Sequence, residues 1–501
     1  MNNQDLNSDG RRSVEAELLK RGAASVISSG TRKVYLDGYN SGQRSVTPRD
    51  YLPITTSASG YTIVSRATVS SKWELLIRFA IVIGLVVVLF WSITGGIFQP
   101  LLLALKSSQW TQLFVRPSMI WGSMGILLLS FRTALWFGYI PFPSVKMDEA
   151  PSLTVIIPAY NEGAMVENSI DSVASAYYPN DRLEIFVVDD GSKDDTWHYI
   201  QSAVKRYPQL ITAIRFSENR GKRAALEAGF RKARGEIVVT IDSDSVIEPQ
   251  ALLAIVGPFK KQSIGAVAGK VMVYNRHEGI IPRMLHVRFI LSFDFLRAVQ
   301  STYGTVYCCP GALAAYRTSI VRGVLVPWMN QTFLGQPCTY GEDRAMTNFI
   351  LEQGYDAVYQ RSSVVHTIAP TTYARLCKMY LRWDRSYIKE EIKFARIVWT
   401  RPLRSRIIAL FDTCITNMRY PINYAILALL VSMSINDPHT ILRLLFAIGL
   451  LSFLNMLYYL HSERSWDLVY GILYSYFAFF TLFWIFPVAV LTVRSRSWMT
   501  R

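Results

Sequence analysis

Residues 79–105 carry no charged side chain, and this long apolar stretch restricts the fold of the 501-residue chain more than any other feature. About 20 apolar residues in a helix cross the hydrocarbon core of a bilayer. A second apolar run, residues 117–140, contains Arg132 as its only charged side chain. Together the two runs predict a transmembrane hairpin, for which the alternative is a buried pair of helices in a soluble core.

Apolar runs also dominate residues 418–493. Residues 418–435 and 441–460 predict a second hairpin, and residues 468–493 are uncharged. The arginines of the tail that follows favour a cytosolic C-terminus, because positive residues concentrate on the cytosolic side. If residues 468–493 formed one span, the C-terminus would lie outside the cell, and two spans would need about 20 residues each, more than this stretch has. We therefore expect a re-entrant or interfacial segment that is broken near Pro487.

The composition agrees with a membrane protein that has a sizeable soluble domain, since 50% of the residues are hydrophobic and 18% are charged. The net charge of +16 is typical of the positive-inside bias, to which attraction for anionic lipid or an anionic ligand adds. No zinc-finger, basic-heptad or RNA-binding signature is present, so nucleic acid is not an expected partner. The five cysteines lack the spacing of a zinc site or a disulfide framework.

Between the apolar regions, residues 151–370 alternate short apolar segments with helical patterns, which predicts a mostly parallel α/β sheet. The predicted strands are residues 153–157, 184–188, 213–216, 237–241 and 266–273. Ligands bind at the carboxyl ends of the strands in such sheets, so we expect the chemistry at that edge.

These patterns divide the chain into six regions, the first of which is polar and predicted to be mostly disordered. The regions are residues 1–72 (cytosolic tail), 73–145 (transmembrane hairpin), 146–370 (cytosolic catalytic domain), 371–417 (amphipathic interface helices), 418–493 (C-terminal transmembrane region) and 494–501 (C-terminal tail).

Polar residues follow the first two predicted strands. Tyr160 offers a ring face and Glu162 an acceptor, which suit a base and its ribose. Asp189 and Asp190 precede Gly191, which allows a tight turn against a ligand. The alternative for this second cluster is an N-cap, in which Ser192 and Asp194 cap the helix that follows.

Two further clusters indicate a diphosphate and its counterion. Gly221 and Lys222 open a helix, so that Lys222 reaches a diphosphate at the helix N-terminus; a solvated basic turn is the alternative. Asp242 and Asp244 follow a strand, point the same way and fit a hard divalent cation. Such an ion stabilises a departing diphosphate.

The sequence Gly341-Glu342-Asp343-Arg344 begins another helix, where a carboxylate often serves only as a cap. Within this constellation we expect one carboxylate to deprotonate an acceptor hydroxyl, and we assign that role to Asp343 rather than Glu342. Residues 308–317 are mostly small, which leaves room for an acceptor sugar or, alternatively, forms a tight turn into a core helix.

Arg382 and Trp383 lie on an amphipathic helix after the α/β region, and Trp498 and Arg501 repeat the pairing near the C-terminus. Arginine holds a phosphate with two donors, and tryptophan stacks on a sugar ring. Anchoring at the membrane interface is the alternative for both tryptophans.

In chain order, the motifs PAYNE, DDGS, NRGKRAA, DSDS, GEDR, RW and WMTR resemble those of the processive family 2 glycosyltransferases. The resemblance covers roughly residues 76–501 and is closest to hyaluronan synthases and their chitin-oligosaccharide and cellulose synthase relatives. It implies a GT-A α/β domain with a mostly parallel sheet, inserted between transmembrane helices, together with a UDP-sugar donor and Mg²⁺ or Mn²⁺.

The resemblance also implies a role for each matching residue. The resemblance assigns metal binding to Asp244 and base catalysis to Asp343. The residues that it assigns to substrate binding are Tyr160, Glu162, Asp189, Lys222, Asp242, Arg382, Trp383 and the gating-segment residues Trp498 and Arg501. Two positions depart from the family pattern, since Met379 replaces a glutamine and Met499 a glycine. Both departures weaken an assignment to hyaluronan synthase itself and leave the polymer open.

The expected function is a processive, inverting transfer of sugars from a nucleotide-sugar to a growing polysaccharide that crosses the plasma membrane. Its partners are then the donor, the polysaccharide acceptor and the lipid bilayer. The alternatives are a non-processive transferase acting on a polyprenyl-phosphate and a non-catalytic membrane protein that binds sugar-nucleotides. The aspartates at 189, 242, 244 and 343 favour catalysis over mere binding.

Overall fold

An eight-stranded sheet organises the region after residue 150. Its strands in chain order are β1 (Leu153–Ala159), β2 (Leu183–Asp189), β3 (Ile211–Arg215), β4 (Ile237–Thr240), β5 (Ser245–Ile247), β6 (Ile264–Val273), β7 (Ala314–Arg317) and β8 (Asp356–Thr367). They lie in the order β3-β2-β1-β4-β7-β6-β8-β5. Four of the pairings are parallel (β1 with β2 and β4, β2 with β3, β6 with β8), which confirms the predicted mostly parallel sheet.

The computed structural model describes residues 117–436 and 439–495, with short pieces of the N-terminal part. In the separate N-terminal unit, strands Lys33–Leu36, Pro53–Thr56 and Thr62–Ser65 form a small sheet. The rest of the predicted tail lies outside the described residues, as does the first predicted membrane run apart from isolated helical positions at 79, 83, 86 and 90.

Helices cover both faces of the sheet, which is why its strands are continuously apolar. All seven residues of β1 are buried. Because side chains alternate along a strand, Ile156 faces one hydrophobic core while Val155 and Ile157 face the other. The sequence pattern predicts the first four strands and β6 for this reason.

The helices that pack on the sheet or connect its strands follow in chain order. They are α1 (Pro117–Phe137), α2 (Met165–Ala174), α3 (Thr196–Arg206), α4 (Lys222–Lys232), α5 (Ala251–Val256), α6 (Ile280–Ile290), α7 (Leu296–Ser301), α8 (Thr318–Met329) and α9 (Glu342–Glu352). A π-helical turn, Leu291–Phe295, joins α6 to α7. Helices α4, α8 and α9 share one core, and α2, α3 and α5 share the other.

Five helices complete the chain. They are α10 (Tyr373–Ile397), α11 (Leu403–Asn436), α12 (His439–Glu463), α13 (Leu468–Thr481) and α14 (Ile485–Leu491). The predicted boundary between residues 417 and 418 falls inside α11, which runs without interruption. The lone charge of the second apolar run, Arg132, binds Asp412 of α11 at 2.8 Å, so this charge does not interrupt helix packing.

The connection between α10 and α11 is fastened to the sheet. The side chain of Arg401 is fully buried there and donates to the backbone oxygens of Tyr355 (2.7 Å) and Gly304 (3.1 Å). It also pairs with Asp356 at the start of β8. A buried guanidinium needs several partners to offset its desolvation, and this one has three.

Helices α13 and α14 meet at an angle of 50°. Of the helices in the part of the chain that the structure describes, none alone has the length and apolarity to cross a membrane. Taken together, the two helices of this bent pair have both. The break lies at residues 482–484, ahead of the predicted position near Pro487. Proline is tolerated in the first turn of a helix but clashes with the carbonyl four residues earlier, so the break precedes it.

Candidate active site

The carboxyl ends of β1, β2 and β4 meet at one edge of the sheet, because these strands are parallel neighbours. Ala159 at the end of β1 pairs with Asp189 at the end of β2. Asp242 follows β4 at the same edge. The predicted gathering of polar residues at this edge is therefore present.

Two adjacent aspartates at the end of β2, Asp189 and Asp190, bind different partners. Asp189 is fully buried, lies 3.1 Å from the Arg215 Nε and accepts the Ser192 N–H at 3.0 Å. Asp190 accepts the backbone N–H groups of Arg220 (2.7 Å) and Gly221 (2.8 Å). Burial raises the pKa of Asp190, although these hydrogen bonds oppose the rise. Asp190 thus fixes the loop that leads into α4.

The capping alternative holds for Asp194, one of the two residues predicted to cap this helix. Asp194 accepts the backbone N–H of Thr196, the first residue of α3, at 3.1 Å. The Thr196 hydroxyl in turn accepts the N–H groups of Glu162 and Gly163, both at 2.8 Å. These bonds hold the loop after β1, so that Tyr160 and Glu162 lie partly exposed beside the end of β2.

Lys222, the first residue of α4, connects two acidic side chains. Its Nζ lies 2.5 Å from Asp242 Oδ1 and 2.9 Å from Glu342 Oε1. Burial lowers the pKa of Lys222, but the two carboxylates outweigh burial and raise it above its usual range. A methyl group on Gly311 would lie 2.8 Å from this Nζ, so glycine leaves the space that the ion pairs occupy. The sequence motifs pointed to neither Glu342 as a partner of Lys222 nor the role of Gly311.

Asp343 lies in the first turn of α9 and faces the same space. Its Oδ2 accepts the Gly311 N–H at 3.3 Å and the Cys308 thiol at 3.5 Å, and its Oδ1 accepts the Arg344 N–H at 2.7 Å. Burial and then the Glu342 charge raise the pKa of Asp343. Burial also raises the pKa of Glu342, but Lys222 outweighs it and lowers that pKa to about 2. The two neighbouring carboxyls therefore differ in basicity, and Asp343 is the stronger base.

A cavity connects these groups. Charged and apolar side chains both line it. The lining residues are Pro158, Lys222, Leu226, Phe230, Thr240, Asp242, Gly311, Tyr316, Trp328, Glu342, Asp343 and Met346. The arrangement places a base, an ammonium group and a strand-end carboxylate around one space.

Asp244 is only 7% exposed, next to this cavity in the chain but outside its lining. Its Oδ1 accepts hydrogen bonds from the hydroxyls of Ser245 (3.0 Å) and Thr367 (3.3 Å). Among the described residues, no three His, Cys, Asp or Glu side chains converge as a complete metal cage. A metal held here needs ligands from a substrate or water.

Arg382 and Trp383 lie on α10, outside the lining of the cavity. The Trp383 ring contacts Phe289 (5.9 Å), Tyr380 (5.7 Å) and Phe293 (6.3 Å between ring centroids). The Arg382 charge acts on Glu342 and helps to lower its pKa. Arg382 is thus electrostatically coupled to the cavity, whereas Trp383 lies in an aromatic cluster.

The two remaining predicted site residues, Trp498 and Arg501, lie outside the described residues. The tail just before them is fastened near the site. The Tyr340 hydroxyl donates to the carbonyl of Ser495 at 3.1 Å, and the guanidinium of Arg385 donates to the Thr492 hydroxyl at 2.8 Å. The described end of the tail therefore reaches the loop that precedes Asp343.

Residues 154–325 match the model of the family described as Glycosyl transferase family 2. A hyaluronan synthase of Streptococcus pyogenes serotype M1 is 31% identical over 290 residues, which are 56% of this chain and 68% of the synthase. The chain belongs to glycosyltransferase family 2. An N-acetylglucosaminyltransferase of Azorhizobium caulinodans is 27% identical to this glycosyltransferase over 353 residues, 70% of the chain and 87% of the relative.

The glycosyltransferase also resembles solved structures. A mannosyltransferase from Pyrobaculum calidifontis, solved with GDP-Man and Mn²⁺, aligns with a TM-score of 0.42 and 21% identity over 69% of this chain and 99% of its own. Membership of the family and the mostly parallel sheet make this a GT-A-like hexosyltransferase.

Gly341 is expected to be indispensable to the glycosyltransferase. Its φ is 78°, and a Cβ there would collide with the side chain of Ser386. Gly341→Ala should therefore cost about 2–4 kcal/mol of unfolding free energy through backbone strain and overpacking. It should also lower transfer at least tenfold, because Asp343 follows two residues later. Thermal unfolding and a transfer assay measure both effects.

The matched control is Gly323→Ala in α8, where nothing lies within 4 Å of the added carbon. This change should stabilise the protein by up to about 1 kcal/mol, as alanine does in exposed helices. Equal behaviour of the two variants contradicts the strain argument.

Proposed function

We propose that this glycosyltransferase is a processive, inverting polymerase that transfers sugars from a UDP-sugar to a growing polysaccharide and moves the product across the plasma membrane. The observation that carries the proposal is the placement of Asp343 in one cavity with the Lys222 ammonium and Asp242. A base opposite a cation is the arrangement required when a hydroxyl attacks and a diphosphate leaves.

The donor occupies the strand-end edge. Tyr160, Glu162 and Asp189 bind the nucleoside, for which they offer a ring face and carboxylate acceptors. Lys222 and Asp242 bind the sugar-diphosphate. The Lys222 ammonium already holds two carboxylates, so it exchanges carboxylate for phosphate oxygen at little electrostatic cost.

The residues fit a divalent metal held jointly with the donor. Asp244, assisted by Asp242, would supply carboxylate oxygens, and the diphosphate the remaining ligands, as is usual for Mg²⁺ sites. Metal dependence is typical of the family, and Mg²⁺ or Mn²⁺ suits these oxygen ligands. A bound ion supplies charge stabilisation for the leaving group.

The residues of the chain carry out a single displacement. Asp343 removes the proton of the acceptor hydroxyl, whose oxygen attacks the anomeric carbon from the face opposite the diphosphate. Lys222 and Arg382 stabilise the developing charge on the diphosphate. One displacement inverts the anomeric configuration.

Processivity and transport are proposed from the relatives and from the C-terminal helices. A hyaluronan synthase and an N-acetylglucosaminyltransferase are both similar to this chain. We assign α1, the part of α11 after residue 417 and α12–α14 to a membrane region and residues 371–417 to its cytosolic interface, with residues 146–370 as the cytosolic catalytic domain. The contact of Tyr340 with Ser495 supports a cytosolic C-terminus, from which Trp498 and Arg501 gate the donor site.

A donor screen tests the proposal. The purified full chain in nanodiscs is incubated with Mn²⁺ and UDP-glucose, UDP-N-acetylglucosamine or UDP-glucuronate, singly and in pairs. We expect UDP release together with a long polymer. A single labelled lipid supports the polyprenyl-phosphate alternative, and absence of UDP release from every donor overturns catalysis from UDP-sugars.

Asp244→Asn should raise the Mn²⁺ concentration for half-maximal activity by about 100-fold, because a neutral amide replaces the charged ligand. Titration of UDP release with Mn²⁺ measures the change. Asp181→Asn removes an 80% exposed carboxylate and should leave the titration unchanged. Identical curves for both variants argue against a metal at Asp244.

A further inference from the structure

Trp328, near the end of α8, is the largest fully buried side chain among the described residues, and it lies in the lining of the cavity that contains Asp343. Buried indole N–H groups usually find a hydrogen-bond acceptor. The Nε1 of Trp328 donates to the backbone carbonyl of Glu342 at 3.0 Å. The polar group of this cavity-lining residue therefore binds the backbone of α9.

The carbonyl that accepts this hydrogen bond belongs to the peptide unit between Glu342 and Asp343. Because a peptide unit is planar, a hydrogen bond to its carbonyl restrains the orientation of the whole unit. The two side chains on either side of the unit have different partners. Glu342 reaches the Lys222 ammonium at 2.9 Å. Asp343 instead accepts the Gly311 N–H at 3.3 Å. The contact of Trp328 therefore acts at the point where the two carboxyls diverge.

The indole is itself held by the residue that follows Lys222. The Arg223 guanidinium lies over the Trp328 ring, 4.9 Å from the centroid, and donates to the carbonyl of Trp328. Both Nη atoms of Arg223 also lie 3.2 Å from Gln331 Oε1, and Gln331 Nε2 donates to Glu390 at 2.7 Å. Arg223 and Glu390 are both buried, so water does not compete for these bonds.

One indole thus joins the starts of two helices that carry site residues. Lys222 is the first residue of α4, and Glu342 is the first residue of α9. Phe230 of α4 also packs edge-on against the Trp328 ring, with 5.8 Å between the centroids and an angle of 73°. A displacement of the indole would change the position of Asp343 relative to Lys222, and misplacing a reacting group by about 1 Å costs up to about 10²-fold in rate.

We propose that Trp328 is a positioning residue for sugar transfer: its indole N–H, held in place by Arg223, fixes the peptide unit before Asp343 and directs that carboxylate at the acceptor hydroxyl. A general base has to lie within hydrogen-bond reach of the proton that it removes. The inference rests on the proposed polymerase function, in which Asp343 is the base, and adds a residue that acts through this base.

Trp328→Phe removes the N–H and keeps an aromatic ring in the cavity wall. Wild type and variant are compared in nanodiscs with the donor that supports polymerisation. We expect kcat to fall at least about tenfold, because the base loses its restraint. The KM for the donor should change less than about threefold, since the residues assigned to donor binding remain. An unchanged kcat, or a donor KM that changes as much as kcat, overturns the positioning role.

A double-mutant cycle separates positioning of the base from general damage to the site. In the Asp343→Asn background the base is absent, so adding Trp328→Phe should lower the single-turnover rate less than about twofold. The same substitution lowers the rate of the protein that retains Asp343 at least about tenfold. Equal losses in both backgrounds show that Trp328 does not act through Asp343, and they overturn the inference.

Trp136→Phe is the matched control, because it shortens a buried indole far from Asp343 in the chain. Trp136 is 5% exposed and packs edge-on against Tyr458, with 5.3 Å between the ring centroids. This variant should lose a similar amount of thermal stability and retain the wild-type kcat. A loss of kcat equal to that of Trp328→Phe contradicts a specific role for Trp328.

Failure of the inference and failure of the proposed function give different results. A wild-type rate in Asp343→Asn, or no UDP release from the wild type, overturns the proposed function. A slow Asp343→Asn together with an unaffected or additive Trp328→Phe overturns only the role of Trp328. Where Trp328→Phe does not fold, as shown by thermal unfolding, Arg223→Lys decides by the same cycle. It keeps the charge but lacks the planar fork that holds the indole.

Discussion

Asp343→Asn should lower kcat by about 10³-fold, the usual contribution of a general base. The amide has nearly the shape of the carboxylate and still accepts the Gly311 N–H, so the fold and donor binding should persist. Single-turnover measurement of UDP release checks the rate, and thermal unfolding in the presence of UDP checks binding. A rate within a few-fold of wild type contradicts the assignment of Asp343.

The pH dependence of the same reaction provides a control, because Glu342→Gln and Asp343→Asn should change its acid limb in different ways. Asp343 acts as a base only when deprotonated, so kcat/KM should fall as the pH drops through its raised pKa. Glu342→Gln removes the neighbouring charge that raises this pKa and frees Lys222 to act more strongly on Asp343. The acid limb should therefore move to lower pH in Glu342→Gln and disappear in Asp343→Asn.

Asp294→Ala should destabilise the protein by about 3–5 kcal/mol of unfolding free energy, because it breaks a buried ion pair. Asp294 lies in the π-helical turn and accepts Arg361 Nε at 2.7 Å and the Ser462 hydroxyl at 2.9 Å. Lys270 lies 3.6 Å from Asp294 and 3.0 Å from Glu463 at the end of α12. Without Asp294, the buried Lys270 and the partly buried Arg361 lose the carboxylate that they share.

The free energy of unfolding by denaturant in detergent measures this effect. Glu149→Ala is the control, because its pair with Lys260 is exposed and such pairs contribute less than about 1 kcal/mol. Comparable losses in the two variants contradict a special role for the buried network.

Some of the sheet was predictable because its strands follow a simple apolar pattern. Strands β1, β2 and β4 are buried on both faces, and their sequences are correspondingly apolar. Strand β7, Ala314–Arg317, was not predicted, because its small residues suggested room for an acceptor sugar or a tight turn into a core helix. It forms a strand because it fills the place between β4 and β6, a tertiary effect that no local pattern reports. Strand β8 contains buried polar residues such as Gln360 and Ser363, which obscure its apolar character.

The positions of single site residues were predictable from local motifs, whereas contacts between residues far apart in the chain were not. Each motif placed a polar residue at a strand end or helix start, and the parallel topology then brought Lys222, Asp242 and Asp343 together. The pairing of Lys222 with Glu342 spans more than a hundred residues and has no signal in either motif. The same holds for the Gly311 space, which exists only because α4 and α9 approach each other there.

The buried Arg401 has a mechanical consequence. Arg401, just before α11, binds the carbonyls of Tyr355 and Gly304 and pairs with Asp356, so rotation of α11 about this junction would break three polar contacts of a buried guanidinium. We therefore expect α11 to follow the sheet when the catalytic domain moves. In the proposed polymerase, the sugar chain would then advance past α11, with each newly added unit supplying the displacement.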